Sequence, residues 1–196
     1  MHTESNDYPL WQSFKEGDRT SFQTIYFSNF KNLSEYGMRI IDDKELVKDC
    51  IHDLFVKLWN NKSNLGNITA IRSYLMVSLR ATLFNKIQQN KRMSISEFNG
   101  GQPFEMVFSV ESDFITKETS SIQTQTLLDA LNELTPRQKE VIYLRYFEEM
   151  DYEEIATIME ITVKATYKLA ARGLETLRQI MAISSASLLL VFALSK

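Results

Sequence analysis

The stretch MDYEEIATIMEITVKATYKLAARGLETLR, from Met150 to Arg178, changes the sign of its charge partway along. Asp151-x-x-Glu154 is a capping-box pattern that opens a helix over YEEIATIM, with Ile155, Ala156 and Met159 pointing one way. Thr162 is an N-cap candidate for a second helix, VKATYKLAARGLETLR, in which Val163, Thr166, Leu169 and Leu177 recur at helical spacing. Two short helices joined by about three residues, with a small alanine where they cross, make the helix-turn-helix pattern. The first helix is acidic, whereas the second carries Lys164, Lys168, Arg172 and Arg178 against Glu175 alone. Lys164, Tyr167, Lys168, Ala171 and Arg172 share its outer face at i, i+3, i+4, i+7 and i+8. A recognition helix puts its N-terminal side chains on base edges in the major groove and flanking cations on phosphates. The sign change therefore predicts DNA binding; a helical hairpin with a solvated basic face is the other reading. Glu160 holds the turn position that favours Gly or Asn, because the backbone there tends to φ > 0 at about 1–2 kcal/mol for other residues. A rearranged turn would avoid that cost.

Working outward, the same domain begins near Ile122 with LLDALNELT. Thr135-Pro136-Arg137-Gln138 then has a capping-box pattern with Pro at the first helical position and opens PRQKEVIYLRYF. Upstream lies MSISEFNGGQPFEMVFSVESDFITKETSS, residues 93–121, with Gly-Gly, Pro, many serines and one basic against five acidic side chains. It has no helical period and reads as a flexible linker. A first helical domain precedes it. Asp18 caps a helix with Phe22, Ile25, Tyr26, Leu33 and Tyr36 on one stripe. Asp43 caps KELVKDCIHDLFVKLW, with a ridge of Leu46, Cys50, Leu54 and Leu58 and Val47, Ile51 and Phe55 beside it. Thr69 opens a longer helix with Ile71, Tyr74, Leu75, Leu79, Leu83 and Ile87 facing inward. From Leu54 to Ser96 there is no acidic residue against seven basic ones, where a solvated helix mixes both signs. That segment predicts contact with a polyanion.

The whole chain has 196 residues, 44% of them apolar, with only 6 Gly and 3 Pro. Such a chain fits an all-α fold of two small helical domains. A lone cysteine, Cys50, excludes a disulfide framework and fits a reducing, cytoplasmic setting with the thiol in the core. No signal peptide is read before the first helix. His2 and His52 are too isolated to make a metal site, and no cofactor-binding pattern is present. Nor is there a phosphate-binding glycine loop or a nucleophile with a base, so no catalytic residue is expected and an enzyme is the least favoured reading. The apolar run from Ile180 to Leu194 would span roughly 22 Å as a helix, short of a ~30 Å hydrocarbon core. This tail, residues 180–196, is expected to pack on a neighbouring domain or partner, with a peripheral membrane contact as the lesser alternative.

Four blocks in order resemble a family. FKEGDRTSFQTIYFSNFKNL, DKELVKDCIHDLFVKLWNN, IRSYLMVSLRATLFNKI and the final ALNELTPRQKEVIYLRYFEEMDYEEIATIMEITVKATYKLAARGLETLR are together similar to bacterial sigma factors of the sigma-70 family, extracytoplasmic function (ECF) group. The resemblance covers Leu10 to Arg178. It implies a region 2 bundle over 8–92, a linker over 93–121, and region 4 over 122–179. It implies a factor that confers promoter specificity on RNA polymerase, with the polymerase core (β′ and β subunits) and promoter DNA as partners. An anti-sigma factor is a further partner it admits. By position, Asp53, Leu54, Lys57 and Trp59 would belong to the helix that docks on the β′ coiled coil, with Leu54 and Trp59 largely in the core. Arg80, Phe84, Asn85, Lys86 and Arg92 would face the minus-ten element, where an aromatic and an amide among cations suit capture of an unstacked base. Phe84 fits the core equally well, and Ala81 stands where family members often have Asn. Lys164, Tyr167, Lys168, Ala171 and Arg172 would read the minus-35 element.

The linker offers an independent check on reach. A flexible 29-residue segment spans about 30 Å on average and about 100 Å at full contour. Elements two helical turns apart are about 70 Å distant, so the linker reaches only when stretched and held, as a polymerase would hold it. Two other readings compete. A conventional helix-turn-helix regulator leaves the basic segment and DLFVKLW without a role. A helical adaptor tethered by its apolar C-terminus does not need the charge change.

Overall fold

Carboxylate caps start the first helices. Helix α1 spans Asp7–Lys15, α2 Arg19–Ile40, α3 Lys44–Asn60 and α4 Ile71–Met93. Asp18 accepts the amides of Thr20 (3.2 Å) and Ser21 (2.8 Å) at the start of α2, and Asp43 accepts that of Leu46 (3.0 Å) at the start of α3. These hydrogen bonds to the ionised form, led by the Ser21 hydroxyl, hold the Asp18 carboxyl below its ordinary value. The architecture comes from a computed structural model that describes residues 7–68, 70–93 and 122–181. The expected linker beyond Met93, the tail beyond Met181 and the Thr69 cap lie outside the described residues. Among those described, every regular element is helical, so the fold is all-α.

The chain divides into two compact units, Met1–Gln102 and Pro103–Lys196. In the first unit α2, α3 and α4 pack on one another and α1 lies against α2. The interior takes Ile25, Leu33, Tyr36 and Ile40 from α2, with Val47, Cys50, Ile51, Leu54, Phe55 and Leu58 from α3. Helix α4 adds Ile71, Leu75, Met76, Leu79, Leu83 and Ile87. Burial pushes the Cys50 thiol above its ordinary value, in keeping with a core residue. Phe22 and Tyr26 are only half buried; they form an aromatic edge with Phe55 and Trp59, the Phe22–Trp59 centroids lying 5.0 Å apart. Gly37 allows α2 and α3 to meet, since a Cβ there would stand 2.7 Å from Val47 Cγ1.

Helix α1 also holds the segment that joins α3 to α4. Trp11 Nε1 donates to the Gly66 carbonyl (2.9 Å), and Gln12 Nε2 to Asn67 Oδ1 (2.8 Å). The amide of Ile71, first in α4, donates to Asp7 Oδ2 (2.8 Å). That cap comes from 64 residues away.

In the second unit α5 spans Ile122–Asn132, α6 Pro136–Ile142, α7 Tyr152–Met159 and α8 Val163–Met181. Gln138 Oε1 accepts the amide (3.0 Å) and the hydroxyl (2.7 Å) of Thr135 at the start of α6. The segment PRQKEVIYLRYF is α-helical only as far as Ile142. After Ile142 the chain widens into a π-helical turn, Tyr143–Phe147, and the Glu148 amide donates back to the Tyr143 carbonyl (3.1 Å). π-Helical backbone is rare and occurs mostly as single turns of this kind; Glu148, just after it, is buried and accepts a hydrogen bond from the Tyr143 hydroxyl. Helices α5, α6 and α7 all pack on α8. Gly173 lets α8 lie close to α6, a Cβ there standing 3.2 Å from Ile142 Cγ1.

Candidate nucleic-acid interface

The charge-changing stretch forms α7, a tight turn and α8. Asp151 and Glu154 make a reciprocal capping box, Glu154 N–H to Asp151 Oδ1 at 2.7 Å and Asp151 N–H to Glu154 Oε2 at 3.0 Å. Ile155, Ala156, Ile158 and Met159 are buried against the unit's interior. Glu160 then takes the left-handed conformation, φ 54° and ψ 46°. The turn is therefore not rearranged: it keeps the geometry that glycine favours, and the Ile161 amide closes it on the Ala156 carbonyl (3.0 Å). Thr162 Oγ1 accepts the Ala165 amide (3.2 Å) and so caps α8.

Helix α8 buries Thr166, Ala170, Gly173 and Leu177. That stripe differs from the expected one, since Val163 and Leu169 are only half buried. Gly173 lets α6 sit close and Ala170 is buried beside it in the stripe, so the interior follows size as well as hydrophobicity. Lys164, Tyr167, Lys168, Ala171 and Arg172 are all exposed on the opposite side and rise over about 12 Å of helix. Among the described residues Lys164, Lys168 and Arg172 have no ion-pair partner. Arg178, by contrast, is held by Glu175 through Nη2–Oε1 at 2.6 Å and Nε–Oε2 at 2.9 Å. This pairing lowers the Glu175 carboxyl below its ordinary value and raises the Arg178 guanidinium. The unpaired positive charge thus lies toward the N-terminal half of α8, where phosphates or base edges can be met.

Tyr167 is 50% exposed, and its ring lies on that of Tyr152, centroids 4.0 Å apart and tilted 35°. The Arg145 guanidinium stands 5.0 Å from the Tyr152 centroid and donates through Nη1 to the Met150 carbonyl (2.7 Å). Neither Arg145 nor Tyr152 was singled out by the sequence pattern, because each stands on a different element from the face it supports.

In the first unit the candidates separate. Asn85 is exposed and Phe84 and Lys86 half exposed, but Arg80 is only 5% exposed, with its guanidinium 4.5 Å from the Phe84 ring centroid. Arg80 thus differs from the other candidates of α4 in being buried, with its guanidinium against the Phe84 ring. Helix α4 reaches Arg92, whose side chain lies outside the described residues. On α3, Lys57 is exposed and Asp53 half exposed, one turn apart, while Leu54 is 6% exposed and belongs to the core. Trp59 is half buried, with Lys62 Nζ 4.4 Å above its ring. A groove of about 200 Å³ opens between α3 and α4, with Leu54, Leu58, Leu65 and Tyr74 as apolar walls and Lys57, Asn61, Ser78 and Thr82 as polar ones. No local spacing marks it, since its walls are spread over residues 54 to 82. Among the described residues no cluster of His, Cys, Asp and Glu is placed to hold a metal ion. No described helix is long and apolar enough to cross a membrane.

Residues 124–177 match the family described as Sigma-70, region 4. The chain is 24% identical to the RNA polymerase sigma factor YlaC of Bacillus subtilis over 142 residues, 72% of this chain and 80% of that protein. It is 21% identical to the RNA polymerase sigma-H factor of Pseudomonas aeruginosa over 172 residues, 83% of this chain and 87% of that one. Two solved structures share the fold, each with a TM-score of 0.60. One is the sigma factor RpoE of Bartonella quintana, solved with the anti-sigma factor NepR, at 18% identity over 84% of this chain and 99% of that one. The other is CnrH, solved with the cytosolic domain of CnrY, at 16% identity over 90% of this chain and 97% of that one.

Proposed function

We infer that this chain is a bacterial sigma factor of the sigma-70 family, extracytoplasmic function group, and that it confers promoter specificity on RNA polymerase. The observation that carries this reading is the exposed face of Lys164, Tyr167, Lys168, Ala171 and Arg172, on the second helix of a helix-turn-helix inside the segment that matches region 4. That face reads the minus-35 duplex from the major groove. Asn85, Lys86, Phe84 and Arg92 on α4 meet the minus-ten strand, with Arg80 supporting the Phe84 ring from within. Asp53 and Lys57 provide the polar contacts of α3 with the β′ subunit of the polymerase core, beside Trp59, while Leu54 holds the helix in place.

The work is done by binding energy. Cations neutralise phosphates and release counterions, and an unstacked base is held on an aromatic ring. The chain is therefore a specificity subunit and not an enzyme; it works in the cytoplasm, with the core (β′ and β) and promoter DNA as partners. The two solved likenesses were captured with an anti-sigma factor and with the cytosolic domain of a second protein, which supports an anti-sigma partner here too. Heparin challenge of complexes on promoter DNA tests the reading. Competitor-resistant complexes are expected only when core polymerase and this chain are both present. Resistant, site-specific binding by the chain alone would identify a conventional regulator instead.

A further inference from the structure

We propose that Tyr152, backed by Arg145, is a positioning residue that fixes the Tyr167 ring and thereby sets base preference at the promoter step Tyr167 meets. The proposal rests on the minus-35 reading of α8.

An exposed tyrosine on a helix ordinarily samples more than one χ1 well. Tyr167 is half exposed, yet its ring lies 4.0 Å, centroid to centroid, from Tyr152. Tyr152 is itself fixed at both ends. Its backbone is the first residue of α7, inside the Asp151–Glu154 capping box. Its ring is approached by the Arg145 guanidinium at 5.0 Å, and its hydroxyl is hydrogen-bonded with the half-buried Tyr146. Arg145 in turn is anchored on the Met150 carbonyl at 2.7 Å. A continuous series thus runs from the π-helical turn, through the first residue of α7, to the outer face of α8. It crosses three elements and ends on the one aromatic ring of that face.

An aromatic pair of this kind favours one arrangement by about two- to tenfold over the alternatives. A side chain preset in that way loses less freedom on binding and offers one edge to the duplex rather than several. Removal of Tyr152 therefore leaves Tyr167 present but unaimed. Overall affinity, to which Lys164, Lys168 and Arg172 contribute charge, stays nearly unchanged, and discrimination at one base pair falls.

Transcription by core polymerase with the full chain, on a promoter library randomised across the minus-35 element, tests this. Tyr167→Ala is expected to flatten the preference at one base position. Tyr152→Ala should flatten the same position by about two- to tenfold, the double variant should go no further, and Tyr152→Phe, which keeps the ring but loses the hydrogen bond with Tyr146, should flatten it less than Tyr152→Ala. An even loss of yield across the library, flattening at a different position, or effects that multiply in the double variant would each overturn the proposal. Tyr152→Leu keeps apolar cover without an aromatic ring and is read in the same way if Tyr152→Ala does not fold. If Tyr167→Ala leaves the profile unchanged the proposal fails at its target residue; Lys168→Ala and Arg172→Ala in the same library then report whether the minus-35 reading fails as a whole.

Discussion

Glu160 shows what one residue can cost. At φ 54° it holds the turn between α7 and α8 in a conformation that charges a non-glycine residue about 1–2 kcal/mol. Glycine would remove that strain but lose about 0.5–1 kcal/mol through the freedom of its unfolded chain. The difference favours glycine, so Glu160→Gly should raise stability by about 0.5–1 kcal/mol in urea unfolding; a lower midpoint would mean that the Glu160 side chain makes up for its backbone. Asp18 gives a prediction in pH. Its carboxyl titrates lower folded than unfolded, so its contribution is complete above the ordinary 3.8 and is lost as pH falls through the lower folded value. The stability gap between the native chain and Asp18→Ala should accordingly close only below pH 3.8; a gap that closed on raising the pH would contradict the cap. Caps at Asp18, Asp43, Asp151 and Thr162 were legible because donor and acceptor lie within three residues. The Asp7 cap on Ile71 was not, since no local pattern links positions 64 residues apart. The burial of Arg80 was not legible for a related reason: its charge argues for solvent, and only the packed structure sets its guanidinium against the Phe84 ring.

Elements follow from side-chain size as much as from polarity. The apolar ridges of α3 and α4 were readable at helical spacing, because one wide face of each is buried. Helix α8 was less readable, because its buried stripe uses Ala170 and Gly173 in place of larger residues. Gly37 has the same role between α2 and α3. Alanine there gains about 1 kcal/mol of helix propensity, but its Cβ would lie 2.7 Å from the branched, stiff Val47. Overpacking of this kind costs about 1–3 kcal/mol. Gly37→Ala should therefore destabilise the first unit, and an unchanged unfolding midpoint would show that Val47 yields. The outer face of α8 gives a functional prediction. Lys168→Ala and Arg172→Ala should lower initiation at promoters that depend on the minus-35 element. An equal loss on every template would make them phosphate contacts and not base readers.

At the scale of the molecule, two helical units and the order of the four sequence blocks were legible, because each unit is built from contiguous chain. The supporting contacts were not: the groove between α3 and α4, and the series Arg145–Tyr152–Tyr167, each join residues from separate elements. The proposed function requires both units at once, one for the minus-ten strand and polymerase, the other for the minus-35 duplex. Run-off transcription from fragmented DNA of the source organism, using sigma-free core polymerase with and without the chain, measures that requirement directly. Discrete transcripts that appear only with the chain, and that share sequence elements upstream of their start sites, are the predicted result. A folded chain that binds duplex DNA yet yields no transcript with core polymerase would contradict it.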